Sequence, residues 1–295
     1  MAAQILITDP AHFGVDYVIN PWMRPAAWHG DPEGNRAAAH TAWTELAAAL
    51  RQAGADLEVL PGARRLPDMV FPANAAVVLD RRALLSRFAR AERQPEEARF
   101  RAAFADLQAR GLIAEVTGLP KGVFQEGAGD CIWDAGRGHF WAGHGQRSLR
   151  AAIQEVEAFF GREAVALELV SPRFYHLDVC FCPLPGGEVL YYPGAFSPSS
   201  LRAIRARVPA PQRIEATGEE AGLLCLNAVA VGCTVVMART SARLRAILAE
   251  RGYRTVELDL SPFILAGGAA FCMTLRLDRS SAGTPKRLDL ATAAE

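Results

Sequence analysis

The sequence has no excess of charge of either sign, because its 295 residues include 32 basic and 32 acidic side chains. Nucleic acids and anionic membranes select basic surfaces, so we expect neither a nucleic-acid partner nor a membrane partner. Apolar residues make up 51% of the chain. This proportion excludes a disordered protein and indicates a globular one.

Targeting and membrane-spanning segments are not indicated either. The first ten residues, MAAQILITDP, contain no basic segment and no long apolar run, so we expect no secretory signal. The most apolar stretch, 223–238, is interrupted by Asn227, Gly232 and Thr234 and is too short to cross a bilayer. We therefore expect a cytoplasmic protein.

Cysteine is sparse, with six residues distributed between Cys131 and Cys272. This wide spacing argues against a disulfide framework and fits a reducing compartment. His176, Cys180 and Cys182 lie close together, but no second cluster of ligands accompanies them, so we predict no metal site. The chain also lacks a G-x-G-x-x-G motif after a strand and a P-loop, so we expect no cofactor.

What the sequence does contain is a recurring order of helix, glycine and strand. Four segments with apolar residues at helical spacing end in glycine, for example HTAWTELAAALRQAG and SARLRAILAERG. Ser241 and Ser148 stand where helix caps are expected, and short apolar runs such as LEVL and TVELDL follow the helices as strands. The order predicts α/β modules that repeat about every 50 residues.

No linker rich in proline or serine divides the chain, so we predict one α/β domain over residues 1–278. From residue 279 onward the apolar pattern is lost. This change predicts a mobile C-terminal tail over residues 279–295.

Four stretches place polar residues beside apolar or glycine-rich segments: LPDMVFPANAAVVL, VFQEGAGDCIW, RFYHLDVCFCPL and GGAAFCMTL. Their polar residues are Asn74, Glu126, Asp130, His176, Asp178 and Cys272. Each alone has an ordinary explanation, such as an Asx turn, a solvated carboxylate or a small buried thiol. Buried polar groups are costly without partners, so the six together indicate one shared cleft.

A thiol, an imidazole and carboxylates in one cleft suit a particular substrate. The thiol can attack, the imidazole can transfer protons, and the carboxylates can hold a cation. A planar guanidinium matches carboxylates in a two-pronged way, and its resonance makes a strong nucleophile necessary. A bound guanidinium would also lower the pKa of a neighbouring thiol.

These four stretches resemble the guanidine-modifying enzymes, the amidinotransferase or pentein superfamily, over nearly the whole chain. The resemblance rests on FQEGAGD, YHLD and the Gly-Gly loop before Cys272. It implies a five-bladed α/β propeller of ββαβ modules around a central site. It also implies that Cys272 is the nucleophile, that His176 is the general acid and then the base, and that Glu126 orients His176.

The same resemblance implies a set of substrate contacts. These are Asn20, Asn74, Arg93, Asp130, Arg147, Asp178 and Ala269. Arg93 and Arg147 would grip the carboxylate of the substrate, although Arg87 and Arg90 stand close to Arg93 in the sequence. Asn74 matches arginine dihydrolases, whereas deiminases and dimethylargininases have a carboxylate there. An amide both donates and accepts hydrogen bonds, so it can hold cationic arginine and neutral citrulline in turn.

The leading interpretation is therefore an arginine dihydrolase, which converts arginine to ornithine, ammonia and carbon dioxide through a covalent thiouronium intermediate. The alternatives are a dimethylarginine dimethylaminohydrolase, an arginine deiminase and an amidinotransferase. A non-catalytic arginine binder would lack a catalytic residue, and the order of His before Cys does not fit papain-like proteases. The expected partner is a small guanidino compound, and a homo-oligomer stays open.

Overall fold

The structure is a computed structural model that describes residues 2–282. Most of the predicted tail, residues 283–295, lies outside the described residues, so the tail and the domain boundary at residue 278 stay predictions. Within residues 2–282, no helix is both long enough and apolar enough to cross a membrane.

Strands make up five separate sheets in the described part of the chain, each with three strands. The fifteen strands are β1 (Ala3–Thr8), β2 (Ala55–Leu60), β3 (Ala76–Leu79), β4 (Arg82–Leu85), β5 (Glu115–Gly118), β6 (Cys131–Asp134), β7 (His139–His144), β8 (Ala164–Glu168), β9 (Phe181–Pro183), β10 (Val189–Tyr191), β11 (Arg213–Glu215), β12 (Val229–Val231), β13 (Thr234–Ala238), β14 (Arg254–Leu258) and β15 (Leu275–Arg276). The α-helices of the same residues are α1 (Pro25–Gly30), α2 (Pro32–Gln52), α3 (Glu96–Ala109), α4 (Ala152–Phe160), α5 (Pro198–Arg207), α6 (Gly218–Gly222), α7 (Ala242–Glu250) and α8 (Ser261–Ile264).

All five sheets share one connectivity. In the sheet of β3, β4 and β5, for example, β3 and β4 are antiparallel, and β5 lies parallel to β4 after helix α3. A parallel return needs a crossover, and the helix supplies it. The predicted ββαβ modules are therefore confirmed, and so is the predicted order of helix followed by strand.

The modules surround a common axis. A cavity of about 30 Å³ is lined by residues from four of the five inner strands, including Val77, Ile132, Val229 and Leu275. The sheets thus form the blades of a five-bladed α/β propeller, as expected. The core consists of the side chains that pack between neighbouring blades and under the helices.

The first blade is completed by the last strand. Strand β1 pairs in parallel with β2 and antiparallel with β15, where Leu6 lies opposite Leu275. The N-terminal and C-terminal parts of the described chain are therefore joined in one sheet. Cys272 stands three residues before β15, so the closure of the ring also positions this thiol.

A short turn precedes each inner strand and brings its polar residues to one end of the propeller. Three of these are 3₁₀ turns, Pro72–Asn74, Gly127–Gly129 and Leu177–Val179. The turns pack so closely that a Cβ on Gly127, whose φ is +67°, would lie 2.4 Å from the carbonyl oxygen of Ala73. Glycine is required there by both the conformation and the space.

The two predicted serine caps differ. Ser241 caps α7 and accepts a hydrogen bond from the backbone of Leu244, as expected. The prediction for Ser148 is wrong, because α4 begins only at Ala152 and its N-cap has no side-chain hydrogen bond. The Ser148 hydroxyl instead donates to the Asp130 carboxylate at 2.6 Å.

Because β1 closes the ring, we expect Leu6→Ala to lower the stability of the protein strongly. Leu6 is fully buried, so its truncation should lower the free energy of unfolding by about 2–5 kcal/mol in urea titrations. Val59→Ala on the neighbouring strand β2 is the control. Val59 is 44% exposed, and its change should stay within about 0.5 kcal/mol. Equal effects of the two substitutions would contradict this account of the core.

Candidate active site

Cys272 lies in a polar environment although it is buried. Its thiol donates to Asp178 Oδ2 at 3.0 Å, and the side-chain amide of Asn227 donates to its sulfur at 3.1 Å. Burial raises the pKa of the Cys272 thiol well above its usual value, and the Asp178 carboxylate raises it further. This environment therefore favours the protonated thiol.

His176 is held by a buried glutamate. His176 Nε2 lies 2.7 Å from Glu126 Oε2, and Arg147 donates to the same oxygen at 3.0 Å. The backbone of Ala89 donates to Glu126 Oε1. Burial opposes ionisation of Glu126, but the guanidinium of Arg147 and the hydrogen bond with His176 outweigh it and hold its pKa below the usual value. The imidazole is thus fixed beside a carboxylate that stays ionised.

Two buried atoms in this cluster have no hydrogen-bond partner among the described residues. They are His176 Nδ1 and Asp178 Oδ1. Buried polar atoms are usually paired in folded proteins, so these two are free to bind a ligand. Burial raises the pKa of Asp178 to about 6, against the opposing effects of His176 and the Cys272 hydrogen bond. A cation beside Asp178 would favour its ionised form.

Asp130 links two modules within this site. Its Oδ1 accepts a hydrogen bond from the backbone of Leu177, and its Oδ2 accepts one from Ser148. Burial raises its pKa. Both oxygens are thus engaged inside the protein, and the predicted substrate contact of Asp130 stays a prediction.

Asn74 is locked in one orientation by Arg93. Arg93 Nη1 donates to Asn74 Oδ1 at 2.8 Å, and Asn74 Nδ2 donates to the carbonyl oxygen of Glu126 at 3.0 Å. An arginine can only donate, so the amide oxygen must face it. The second N–H of Asn74 stays available for another acceptor.

The guanidinium of Arg93 is engaged inside the protein. It contacts Glu96 through two nitrogens and is 3% exposed. Burial raises the pKa of Glu96 to about 7, although Arg93 opposes the shift. Sequence reasoning missed Glu96, which reads as an ordinary acidic residue at the start of a helix.

A cavity of about 320 Å³ adjoins the cluster and is open to the surface. Its walls include Asn20, Arg90, Arg147 and Tyr175, whereas Arg93 does not line it. The Asn20 amide donates to the carbonyl oxygen of Ala266. Arg90 is exposed and lines this cavity. The geometry therefore favours Arg90 over Arg93 as the arginine at the opening of the cavity.

The loop before Cys272 is braced by a residue that sequence reasoning did not select. Asn227 Oδ1 accepts hydrogen bonds from the backbone N–H groups of Ala269 and Cys272. Ala269 contributes its backbone, and its carbonyl oxygen accepts from Met273. The sequence did contain a signal for Asn227. It stands two residues before an inner strand, as Asn74 does.

No group of three or more His, Cys, Asp or Glu side chains within residues 2–282 is arranged to hold a metal ion. In the cluster considered from the sequence, the Cys180 and Cys182 thiols face backbone carbonyl oxygens.

Comparison with known proteins gives a consistent result. Residues 9–279 match a family model described as eukaryotic N,N dimethylarginine dimethylhydrolase. The bifunctional arginine dihydrolase/ornithine cyclodeaminase ArgZ of Synechocystis sp. is 40% identical over 93% of this chain, which spans only 37% of ArgZ. An N(G),N(G)-dimethylarginine dimethylaminohydrolase of Mycobacterium tuberculosis is 33% identical over 92% of this chain and 84% of its own length.

A solved structure extends the comparison to three dimensions. The crystal structure of the N-terminal domain of ArgZ, a cysteine-to-serine mutant bound to its substrate, superposes with a TM-score of 0.87. The two chains are 39% identical, and the match covers 95% of this chain and 99% of that one. The fold described above is therefore the fold of that domain.

The ion pair at His176 predicts a specific pH dependence of stability. The pKa of Glu126 is lower in the folded protein than in the unfolded chain. Its stabilisation is therefore complete above about pH 5 and is lost as the pH falls. Between pH 7 and pH 3 the wild type should lose about 2 kcal/mol more unfolding free energy than Glu126→Gln.

Urea titrations at a series of pH values measure this difference. The exposed Glu45→Gln variant serves as the control and should follow the wild type. The assignment is wrong if Glu126→Gln and the wild type lose stability in parallel.

Proposed function

This chain belongs to the N,N dimethylarginine dimethylhydrolase family, and from that premise we propose that it is an arginine dihydrolase. It would convert arginine and water to ornithine, ammonia and carbon dioxide through a covalent intermediate on Cys272. One observation carries the proposal: the Cys272 thiol donates to Asp178, which has a second, free oxygen, and His176 with a free nitrogen is buried within electrostatic range of Asp178.

Substrate binding would use the groups that the protein leaves unpaired. Asp178 Oδ1 would accept hydrogen bonds from the guanidinium, and the positive charge would lower the pKa of the neighbouring thiol. The amino-acid end would lie in the adjoining cavity, near Asn20 and Arg147. Arg90 reaches that cavity and would contact the carboxylate, whereas Arg93 would act by holding Asn74.

The first hydrolysis would proceed in two steps. The thiol proton passes to His176, and the sulfur attacks the guanidine carbon and forms a C–S bond. One C–N bond then breaks, and the departing nitrogen takes a proton from His176 and leaves as ammonia, which gives a thiouronium intermediate. Water attacks the same carbon while His176 accepts one of its protons. The C–S bond then breaks as the second proton passes to solvent, which releases citrulline and the thiolate.

The second hydrolysis would repeat this chemistry on citrulline. The thiolate attacks the ureido carbon, a second ammonia leaves, and water then releases a carbamic acid, which decomposes to ornithine and carbon dioxide. Asn74 supports this step because its oxygen is held by Arg93, so only its N–H groups can face the ureido oxygen. A carboxylate in this position would repel that oxygen.

The alternative function is hydrolysis of dimethylarginine to citrulline and dimethylamine. The family model and the relative from Mycobacterium tuberculosis support it, and it would use the same cysteine and histidine. An arginine deiminase would require that citrulline is not hydrolysed further. An amidinotransferase would require an amine in place of water as the acceptor.

The proposal extends to the cell compartment and to the domain. All six cysteines are unpaired, which suits an enzyme whose thiol works in a reducing cytoplasm. The catalytic unit would be the single propeller of residues 1–278, and it would need no cofactor for hydrolysis by thiol and imidazole.

Product analysis tests the proposed reaction. Purified protein is incubated separately with arginine, citrulline and dimethylarginine, and ornithine, citrulline and ammonia are quantified by mass spectrometry and enzymatic assay. We expect ornithine and two equivalents of ammonia per arginine, and ornithine from citrulline. Cys272→Ser should abolish turnover and retain substrate binding by calorimetry. Consumption of arginine with no ornithine from citrulline would refute the dihydrolase.

The second step predicts a selective effect of Asn74→Asp. This variant preserves the oxygen facing Arg93 but replaces the amide donor, so citrulline hydrolysis should fall by about tenfold or more. The first hydrolysis should be less affected, and citrulline should accumulate when arginine is supplied. The ratio of citrulline to ornithine in the products is the measurement. An unchanged ratio would exclude this role for Asn74.

A further inference from the structure

Asn227 is fully buried, and the orientation of its amide is fixed by the backbone. Its Oδ1 accepts two hydrogen bonds, from the N–H of Ala269 at 2.9 Å and from the N–H of Cys272 at 3.1 Å. Two N–H donors require an oxygen between them, so the amide cannot be reversed. Its NH₂ group therefore faces the Cys272 sulfur at 3.1 Å and the carbonyl oxygen of Asp178 at 3.2 Å.

We propose that Asn227 is a catalytic residue, which donates a hydrogen bond to the sulfur of Cys272 and stabilises its thiolate. The proposal deepens the proposed function, because it rests on Cys272 as the nucleophile. Neither the sequence motifs nor the comparisons assign this role to Asn227.

The surroundings of the sulfur make such a donor necessary. Burial and the Asp178 carboxylate both oppose the thiolate, whereas the hydrogen bond from Asn227 lowers the pKa of the thiol. Tyr175 also lies within electrostatic range of the sulfur, and His176 acts on Asp178. Asn227 is the side-chain donor that favours the charged form of the sulfur, and the backbone of Ala269 acts in the same direction. Hydrogen bonds to a charged acceptor are stronger than those to a neutral one, so the bond strengthens when the thiol ionises.

The position of Asn227 in the fold supports a functional role. It stands two residues before β12, the inner strand of the fourth module, at the end of the propeller where the other modules place Asn74, Asp130 and Asp178. A residue needed only as a loop brace could satisfy the two backbone donors with any fixed oxygen. The amide adds a donor aimed at the reacting atom.

The experiment separates bracing from donation by Asn227→Asp. Aspartate retains an oxygen for the two backbone N–H groups but presents a second oxygen, not a donor, to the sulfur. The rate of Cys272 alkylation by iodoacetamide is measured from pH 6 to pH 11 by peptide mass spectrometry, which separates Cys272 from the other cysteines. The midpoint of the profile reports thiol ionisation, and the plateau reports access.

We expect the midpoint to rise by about one pH unit or more in Asn227→Asp, so that alkylation at pH 8 slows by about tenfold. The kcat for arginine should fall by at least as much, with a smaller change in KM. Asn227→Ala should raise the alkylation midpoint as well. Both variants should lower the urea midpoint of unfolding, because both lose the hydrogen bond to the carbonyl oxygen of Asp178. The exposed Gln52→Glu variant controls for the change in net charge of the protein and should match the wild type.

A midpoint and a kcat equal to those of the wild type in Asn227→Asp would overturn the proposal and leave Asn227 as a brace. If Asn227→Asp does not fold, Asn227→Ala decides by the same midpoint. Failure of the proposed function is a different result, in which the wild type turns over neither arginine nor citrulline. The alkylation midpoints still test the hydrogen bond in that case.

Discussion

Hydrogen bonds between the turns before the inner strands form a closed ring, and the site depends on this ring. In order around the axis they are Ala73 N–H to Cys272 O, Asn74 Nδ2 to Glu126 O, Leu177 N–H to Asp130 Oδ1, Asn227 Nδ2 to Asp178 O, and Cys272 N–H to Asn227 Oδ1. Each link joins one module to the next, and each is buried. A lost link leaves a buried polar group unsatisfied, which is costly. The residues proposed to do chemistry therefore also hold the modules in register.

The buried charges around Cys272 are paired so that Asp178, the carboxylate beside the thiol, keeps one oxygen free. Arg147 neutralises Glu126, and Arg93 neutralises Glu96, each through buried hydrogen bonds. Asp178 has no arginine partner among the described contacts, and one of its oxygens is unpaired. Burial raises its pKa to about 6, and in the proposed reaction a bound guanidinium would favour its ionised form. In the proposed function, selectivity for a cation would follow from this unpaired oxygen.

The modules could be predicted from the sequence, but the positions of several side chains could not. Helix, glycine and strand repeat because each module buries the same kind of surfaces, and that periodicity is visible in one dimension. The direction of a long arginine is not visible, so Arg93 and Arg90 could not be distinguished. In the sequence Asn227 only interrupts an apolar segment. Its hydrogen-bond partners lie 42 and 45 positions away, so its role could not be predicted. Ser148 read as a cap because its tertiary partner Asp130 was unknown.

The pairing of β15 with β1 has a consequence for biosynthesis. A ribosome makes His176 and its carboxylate neighbours long before it makes Cys272, and the strand that seats the thiol can pair only after that. An unfinished nascent chain therefore contains an imidazole and acids without a reactive sulfur. Such a chain could not carry out the proposed reaction, and the appearance of that activity during refolding would report that the last blade has been completed.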